Sequence, residues 1–158
     1  MDVREIMTQP IETLTPEDTL NCAAKLMRDH ALGCIVVVEP GGALAGILTD
    51  RDIALSAFEY GEALWRLRIA DTMHTPVWTC RPGDSIETAA RIMREHRVRR
   101  LPVVDAGGKP VGVVSLDDLA HAAHVPVIDP TPGLTSDELG DVYHATSGRS
   151  KHARRSQS

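Results

Sequence analysis

The sequence predicts a mixed α/β fold made of two β-α-β-β-α repeats that pack sheet to sheet. Residues 3–54 align with residues 69–120 without a gap, and 17 of the 52 positions are identical, where composition alone would give roughly three. Within each copy, apolar residues at helical spacing alternate with short runs of β-branched residues. A unit of this size has too little core to be comfortably stable alone, so the two copies are expected to share one.

Each copy opens with a short extended piece, and a helix follows it. In the first copy, Pro16 suits a first helical turn and Thr15 can cap it. The helical apolar positions of the two copies are Leu20, Ala23, Ala24 and Met27, and Ile86, Ala89, Ala90 and Met93. Two strands come next, "CIVVVE" and "LAGILT" in the first copy and "RLPVVD" and "PVGVVS" in the second, joined by a Gly-Gly turn. A closing helix is predicted from Asp50 and from Leu116.

These elements divide the chain into four parts. Residues 1–60 form the first repeat, 61–68 a connector and 69–124 the second repeat. Residues 125–158 are predicted to be a flexible tail, because they begin with the turn-rich "PVIDPTPGLTSDE" and end in a polar stretch with few apolar residues.

The composition excludes several classes of protein. A net charge of −5 argues against a general nucleic-acid binder, and the basic residues near the C-terminus are too local to change that. No apolar run approaches the roughly 20 residues that cross a bilayer, and the N-terminus does not resemble a secretion signal. Three widely spaced cysteines, Cys22, Cys34 and Cys80, indicate reduced thiols in a cytoplasmic protein.

The candidate binding residues lie in a motif that occurs twice, "GILTDRD" at 46–52 and "GVVSLDD" at 112–118. Thr49 with Asp52, and Ser115 with Asp118, have the spacing of a capping box, in which hydroxyl and carboxylate satisfy free amide groups at a helix start. A carboxylate there can also accept hydrogen bonds from the two vicinal hydroxyls of a ribose, as an acidic residue does in dinucleotide folds. The nearby amides can take a phosphate or ribose oxygen, and the motif's leading glycine permits close backbone approach. We expect both roles.

The duplicated unit, the segments "VREIMT" and "HRVRRLPVVD" and the repeated motif together resemble the cystathionine β-synthase (CBS) domain family. The resemblance covers residues 1–123 and is to a stand-alone bacterial tandem pair, a Bateman module. It implies pseudo-twofold symmetry, assembly as a disc-like homodimer and two clefts for adenosine-containing ligands such as AMP, ADP, ATP or S-adenosylmethionine, with no required cofactor. It also implies that Asp52 and Asp118 contact ribose, and that Thr49 and Ser115 contact ribose or phosphate.

The resemblance implies further contacts with base and phosphate. The base would lie against the segments that enter the first strand of each copy, where the candidates are Thr8, Ile11, His74 and Val77. Trp78 could stack on a base or simply pack. Arg97, Arg99 and Arg100 could hold phosphates, or form a solvated basic edge. The first copy has no basic residue at the matching positions 31–34, so the cleft with the arginines is expected to prefer more phosphate charge.

Residues elsewhere in the sequence are compatible with other chemistry. Asp50 beside Asp52, or Asp117 beside Asp118, could be an acid/base pair, but acids at a helix start are the commoner explanation. His121-x-x-His124 has a spacing that a metal could use, yet histidines near a helix C-terminus are favourable without one. The sequence therefore predicts a regulatory protein that senses an adenosine nucleotide, is not an enzyme, and acts through dimerisation or an unidentified protein partner. The alternative is an interaction module with no physiological nucleotide.

Overall fold

The structure is a computed structural model that describes residues 1–124, 140–142 and 145, so most of the tail predicted at 125–158 lies outside the described residues. The predicted mixed α/β fold is confirmed. The chain divides into two compact units. One contains residues 10–77 and 104–111 and is named the Asp52 unit; the other contains residues 1–9, 78–103 and the described residues from 112 onward and is named the Asp118 unit. No helix of the described residues is long and apolar enough to span a bilayer.

The Asp52 unit holds a three-stranded sheet and two helices. Its elements are β1 (Thr13–Leu14), α1 (Leu20–Asp29), β2 (Cys34–Val38), β3 (Leu44–Thr49) and α2 (Asp50–Tyr60), then 3₁₀ turns at Leu64–Arg66 and Ile69–Asp71. In the sheet, β2 is central, parallel to β1 and antiparallel to β3. The buried core consists of Leu20, Ala23, Met27, Ile35, Val37, Leu48, Ile53, Leu67 and Ile69. These residues include three of the four predicted helical positions of the first copy and the alternate residues of β2, while the fourth position, Ala24, is partly buried against the core.

The Asp118 unit begins with a 3₁₀ turn at Val3–Glu5. Its other elements are α3 (Ile86–His96), β4 (Arg100–Val104), β5 (Pro110–Ser115) and α4 (Leu116–His124), and the tip of the β4–β5 hairpin is grouped with the other unit. Its fully buried side chains include Val3, Met93, Leu101, Val103, Val114 and Leu119. Both closing helices begin at the residues predicted from the sequence, Asp50 and Leu116.

The predicted start of the first helix is wrong. Thr15 does not cap it: the Thr15 amide and hydroxyl both donate to Asp18 Oδ2, at 2.7 and 2.9 Å. These bonds close a turn around Pro16, so the helix begins only at Leu20, where the Thr19 hydroxyl accepts from the amide of Cys22. Polar side chains that bond nearby backbone groups compete with the helix in this way.

The predicted first strand of the second copy is reduced to one bridge, between Cys80 and Val103. The Cys80 amide donates to the carbonyl of Pro102 at 3.2 Å. Pro102 stands where the first copy has Val36, and it has no amide hydrogen to donate in return. The parallel ladder that joins β1 to β2 in the first copy is therefore not repeated in the second.

The opening segment of each repeat lies in the unit formed by the other repeat. Residues 69–77 belong to the Asp52 unit, where the Ile69 amide donates to the carbonyl of Asp18 at 2.8 Å. Residues 1–9 belong to the Asp118 unit, where the Val3 amide donates to the carbonyl of Asp84 at 2.9 Å. Val3 and Ile69 are both fully buried. The boundaries at 60 and 69 thus follow the repeats in the sequence, whereas the compact units combine parts of both.

Candidate functional site

The Thr49–Asp52 pair forms a capping box at the start of α2. The Thr49 amide and hydroxyl donate to Asp52 Oδ2 at 2.8 and 2.7 Å, and the Asp52 amide donates to the Thr49 hydroxyl at 3.2 Å. Only 12% of the Asp52 side chain is exposed. The capping role predicted from the sequence is confirmed, and one carboxylate oxygen, Oδ1, takes no part in it.

The Ser115–Asp118 pair repeats the arrangement at the start of α4. The Ser115 amide and hydroxyl donate to Asp118 Oδ2 at 2.7 and 2.6 Å, and the Asp118 amide donates back to the Ser115 hydroxyl at 3.2 Å. Both residues are half-buried. The two boxes are therefore equivalent in local geometry, one in each unit.

An opening segment crosses the strand that leads into each capping box. His74 exchanges two backbone hydrogen bonds with Ile47 of β3, at 2.9 and 3.2 Å, and Thr8 exchanges two with Val113 of β5, at 2.8 and 3.2 Å. The structure therefore brings the base-binding candidates His74 and Thr8 to the two boxes. Their amides are already engaged, so a base could use only the side chains or the second lone pair of the carbonyls.

These crossings also explain the glycine that opens each motif. A Cβ on Gly46 would lie 2.6 Å from the sulfur of Met73 and 3.1 Å from the carbonyl oxygen of His74. A Cβ on Gly112 would lie 2.6 Å from the sulfur of Met7. Each glycine makes room for the protein's own crossing segment, whereas the sequence interpretation had assigned that room to a ligand.

The imidazole of His74 is hydrogen-bonded to Oδ1 of Asp52, the carboxylate oxygen that the cap does not use. The sequence did not predict this contact. His74 Nε2 is 2.8 Å from Asp52 Oδ1, and 64% of the His74 side chain is exposed. An ionised carboxylate only accepts, so the ring nitrogen is the donor. The corresponding position of the other repeat is Thr8, and within the described residues every hydrogen bond of the Asp118 side chain goes to Ser115. The mismatch between His74 and Thr8 was the available signal in the sequence.

Two of the three candidate phosphate-binding arginines lie close to the Asp118 box. The Arg99 carbonyl accepts a hydrogen bond from the Leu116 amide at 2.9 Å, and Arg100 is the first residue of β4. Arg97 ends α3 in a left-handed conformation, φ 54°, and is exposed. In the Asp52 unit the corresponding carbonyl belongs to Gly33, which accepts from the Asp50 amide at 3.4 Å. The backbone of Arg99 therefore lies at the start of the Asp118 box, where the Asp52 unit has Gly33.

Among the described residues, the remaining base-binding candidates make no hydrogen bond to a capping box. Ile11 and Val77 are half-buried. Trp78 stacks on His96, with ring centroids 3.4 Å apart and planes 7° from parallel, which occupies one face of its indole. Trp78 is still 47% exposed.

No group of three or more potential metal-ligating side chains occurs among the described residues. His121 Nδ1 is 2.8 Å from the carbonyl oxygen of Asp117, as expected for a side chain within its own helix, and nothing is described of the His124 side chain. Cys80 is buried, and that burial, with a smaller contribution from Asp84, raises its pKa to about 12. The Cys80 thiol therefore stays protonated near neutral pH, as in a structural rather than a reactive cysteine.

Comparison with known proteins places both repeats in the CBS domain family. The CBS domain model matches residues 3–58 and 69–129. The CBS domain-containing protein YhcV from Bacillus subtilis (strain 168) is 42% identical over 118 residues, which are 75% of this chain and 82% of YhcV. Two further curated relatives are longer, and the chain spans 61% and 23% of their lengths.

Solved structures of similar fold include two with bound ligands. The CBS domain pair of protein MJ0100, in complex with 5′-methylthioadenosine and S-adenosyl-L-methionine, matches with a TM-score of 0.71 at 25% identity, over 77% of this chain and 94% of that one. CBSX2 in complex with AMP matches with a TM-score of 0.67 at 27% identity, over 77% of this chain and 95% of that one.

Proposed function

Since this chain belongs to the CBS domain family, we propose that it is a regulatory module that binds an adenosine-containing ligand at two sites, one in each unit. Asp52 and Asp118 are the residues that would accept the ribose hydroxyls. The observation that carries the proposal is the repeated capping box, which fixes a carboxylate at a strand end and leaves its Oδ1 outside the cap. The complexes of MJ0100 and CBSX2 support adenosine compounds as the ligand class.

The chemistry of the boxes suits a nucleoside. A carboxylate oxygen outside the cap can accept hydrogen bonds from vicinal hydroxyls, and bonds to a charged group contribute about 1.5–3 kcal/mol each. Thr49 and Ser115 add a hydroxyl beside each carboxylate. In the Asp118 unit, Arg99 and Arg100 would add donors for phosphate, so this site would favour nucleotides such as AMP, ADP or ATP. In the Asp52 unit, a ligand with less phosphate charge, such as S-adenosylmethionine, fits the proposal better.

The proposed output is regulatory rather than catalytic. One carboxylate of each candidate acid/base pair, Asp52 and Asp118, is engaged in a capping box. The signal would therefore pass to a second copy or to a protein partner. Large apolar side chains exposed in α2 and the turn after it support such a surface: Leu55 at 45%, Phe58 at 86%, Tyr60 at 52% and Trp65 at 60%. The same surface supports the second candidate function, an interaction module without a nucleotide.

Thermal melting with AMP, ADP, ATP or S-adenosylmethionine tests the proposal. A ligand present at 100 times its dissociation constant stabilises the native state by about 2.7 kcal/mol, a shift of several degrees for a chain of this size. We expect Asp52→Ala and Asp118→Ala each to reduce the shift, and the double variant to abolish it.

The matched controls are Asp18→Ala and Asp84→Ala. These carboxylates accept backbone amide bonds at 2.7 Å from Thr15 and Arg81, as Asp52 and Asp118 do from their own caps, but they lie in turns outside the proposed sites. They should lower the melting temperature of the free protein and leave the ligand-induced shift unchanged. A folded wild-type protein that none of the four compounds shifts would contradict the proposal and favour the interaction module.

A further inference from the structure

We propose that His74 makes the two sites unequal, because its imidazole occupies the carboxylate oxygen of Asp52 that a ribose would need. This inference rests on the proposed function. It assigns His74 as a specificity-determining residue that competes with the ligand, and it predicts that the Asp118 site fills first.

The acceptor capacity of Asp52 is largely used in the free protein. Oδ2 accepts from the amide and the hydroxyl of Thr49, at 2.8 and 2.7 Å, and Oδ1 accepts from His74 Nε2 at 2.8 Å. A carboxylate has about four lone-pair positions, so one remains. Two vicinal hydroxyls need two acceptor positions. A ribose can therefore be held by both hydroxyls only if the imidazole leaves.

The surroundings of His74 allow the ring to move while its backbone stays fixed. The His74 amide and carbonyl are both bonded to Ile47. The side chain, in contrast, is 64% exposed, while the Asp52 side chain beneath it is 12% exposed. The imidazole is thus the outer group of the pair. Rotation of the His74 side chain alone would uncover Oδ1.

The other repeat supplies a natural comparison. Thr8 is fixed to Val113 by the same two backbone bonds that fix His74 to Ile47. A threonine side chain is much shorter than an imidazole, and among the described residues the Asp118 side chain is hydrogen-bonded to Ser115 alone. Asp118 therefore keeps Oδ1 for a ligand. The arginines beside this box add to the same preference when the ligand carries phosphate.

Calorimetric titration of the full chain with AMP tests the inference. The Asp52 site is isolated in the Asp118→Ala background and the Asp118 site in the Asp52→Ala background. Removing a competing hydrogen bond of about 0.5–1.5 kcal/mol changes affinity about two- to tenfold. We expect His74→Thr to tighten AMP binding at the Asp52 site by that factor, and Thr8→His to weaken it at the Asp118 site.

His74→Ala is a second variant that also removes the imidazole, and it should tighten binding as well; the melting temperatures of the ligand-free variants show that each is folded. Binding at the Asp52 site that is unchanged or weaker in both His74 variants would overturn the inference and leave the proposed function standing. Absence of binding of AMP, ADP, ATP and S-adenosylmethionine to the wild-type chain and to every variant would overturn both. Equal affinities at the two sites of the wild type would also contradict the inference.

Discussion

At the scale of single residues, the structure assigns Gly46 a packing role that can be measured. A Cβ at this position would meet the Met73 sulfur at 2.6 Å and the His74 carbonyl at 3.1 Å. Overpacking of this kind costs about 1–3 kcal/mol. We therefore expect Gly46→Ala to lower the free energy of unfolding by that amount, seen as a lower urea midpoint with an unchanged m-value.

Two further variants separate this packing from a general effect of alanine. Nothing lies within 4 Å of a Cβ built on Gly41, so Gly41→Ala should stay within about 0.5 kcal/mol of the wild type. In the double variant of Gly46→Ala with Met73→Ala, the clash with sulfur is gone, and the combined cost should be smaller than the sum of the two single costs. A Gly46→Ala protein as stable as the wild type would refute the packing role.

The sequence predicted the hydrogen bonds within the capping boxes, but it did not predict the contact between His74 and Asp52. The hydroxyl and the aspartate three residues later lie on one turn of chain, so local geometry alone predicts the bonds between Thr49 and Asp52. His74 is 22 positions from Asp52. Their contact depends on the crossing of the opening segment over β3, which no local pattern encodes.

At the scale of elements, the apolar spacing predicted the helices well, but their ends depend on side-chain bonds. Leu20, Ala23 and Met27 are buried as the helical stripe requires. The error at Thr15 arose because a Ser/Thr residue before an acidic one suits a closed turn as well as a helix cap. Likewise, Pro102 in β4 removed a donor that the repeat pattern led us to expect. Periodicity predicts which face is buried, and single polar or proline residues decide where an element begins.

The C-terminal ends of α1 and α3 suggest a stabilising change. Ala31, just beyond α1, has φ 53°, and Arg97 at the end of α3 has φ 54°. Left-handed backbone costs a residue with a Cβ about 1–2 kcal/mol, and glycine avoids most of that cost. Glycine also gains entropy in the unfolded chain, which offsets part of this relief. We therefore expect Ala31→Gly to raise the free energy of unfolding by a net amount of about 0.5–1 kcal/mol.

Ala63→Gly is the matched control for Ala31→Gly. Ala63 is also an exposed alanine outside the helices, but its φ is −68°. Glycine there relieves no strain, so its extra freedom in the unfolded chain should lower stability by about 0.4–1 kcal/mol. Urea unfolding of the two variants should therefore move in opposite directions. A loss of stability in both would show that the backbone at Ala31 is not strained.

At the scale of the whole molecule, the sequence revealed the duplication but not the exchange of opening segments. A gapless repeat specifies two equivalent copies, and it is equally consistent with each copy keeping its own first residues or giving them to the other. The choice is made by tertiary contacts, such as those of Ile69 with Asp18 and of Val3 with Asp84. These contacts join residues far apart in sequence, so only the structure shows them.

The swap of opening segments predicts that core mutations at equivalent positions of the two repeats each destabilise the unit formed mainly by the other repeat. Ile69 belongs to the second repeat, yet it is fully buried in the core that contains Leu20 and Ile35. Ile69→Ala should therefore cost about 2–5 kcal/mol and speed amide hydrogen exchange in α1 and β2. Val3 belongs to the first repeat but lies in the Asp118 unit, so Val3→Ala should speed exchange in α3 and β4. Exchange reports the local opening of each unit separately. Faster exchange in α3 and β4 of the Ile69→Ala protein, with α1 and β2 still protected, would mean that each repeat keeps its own opening segment.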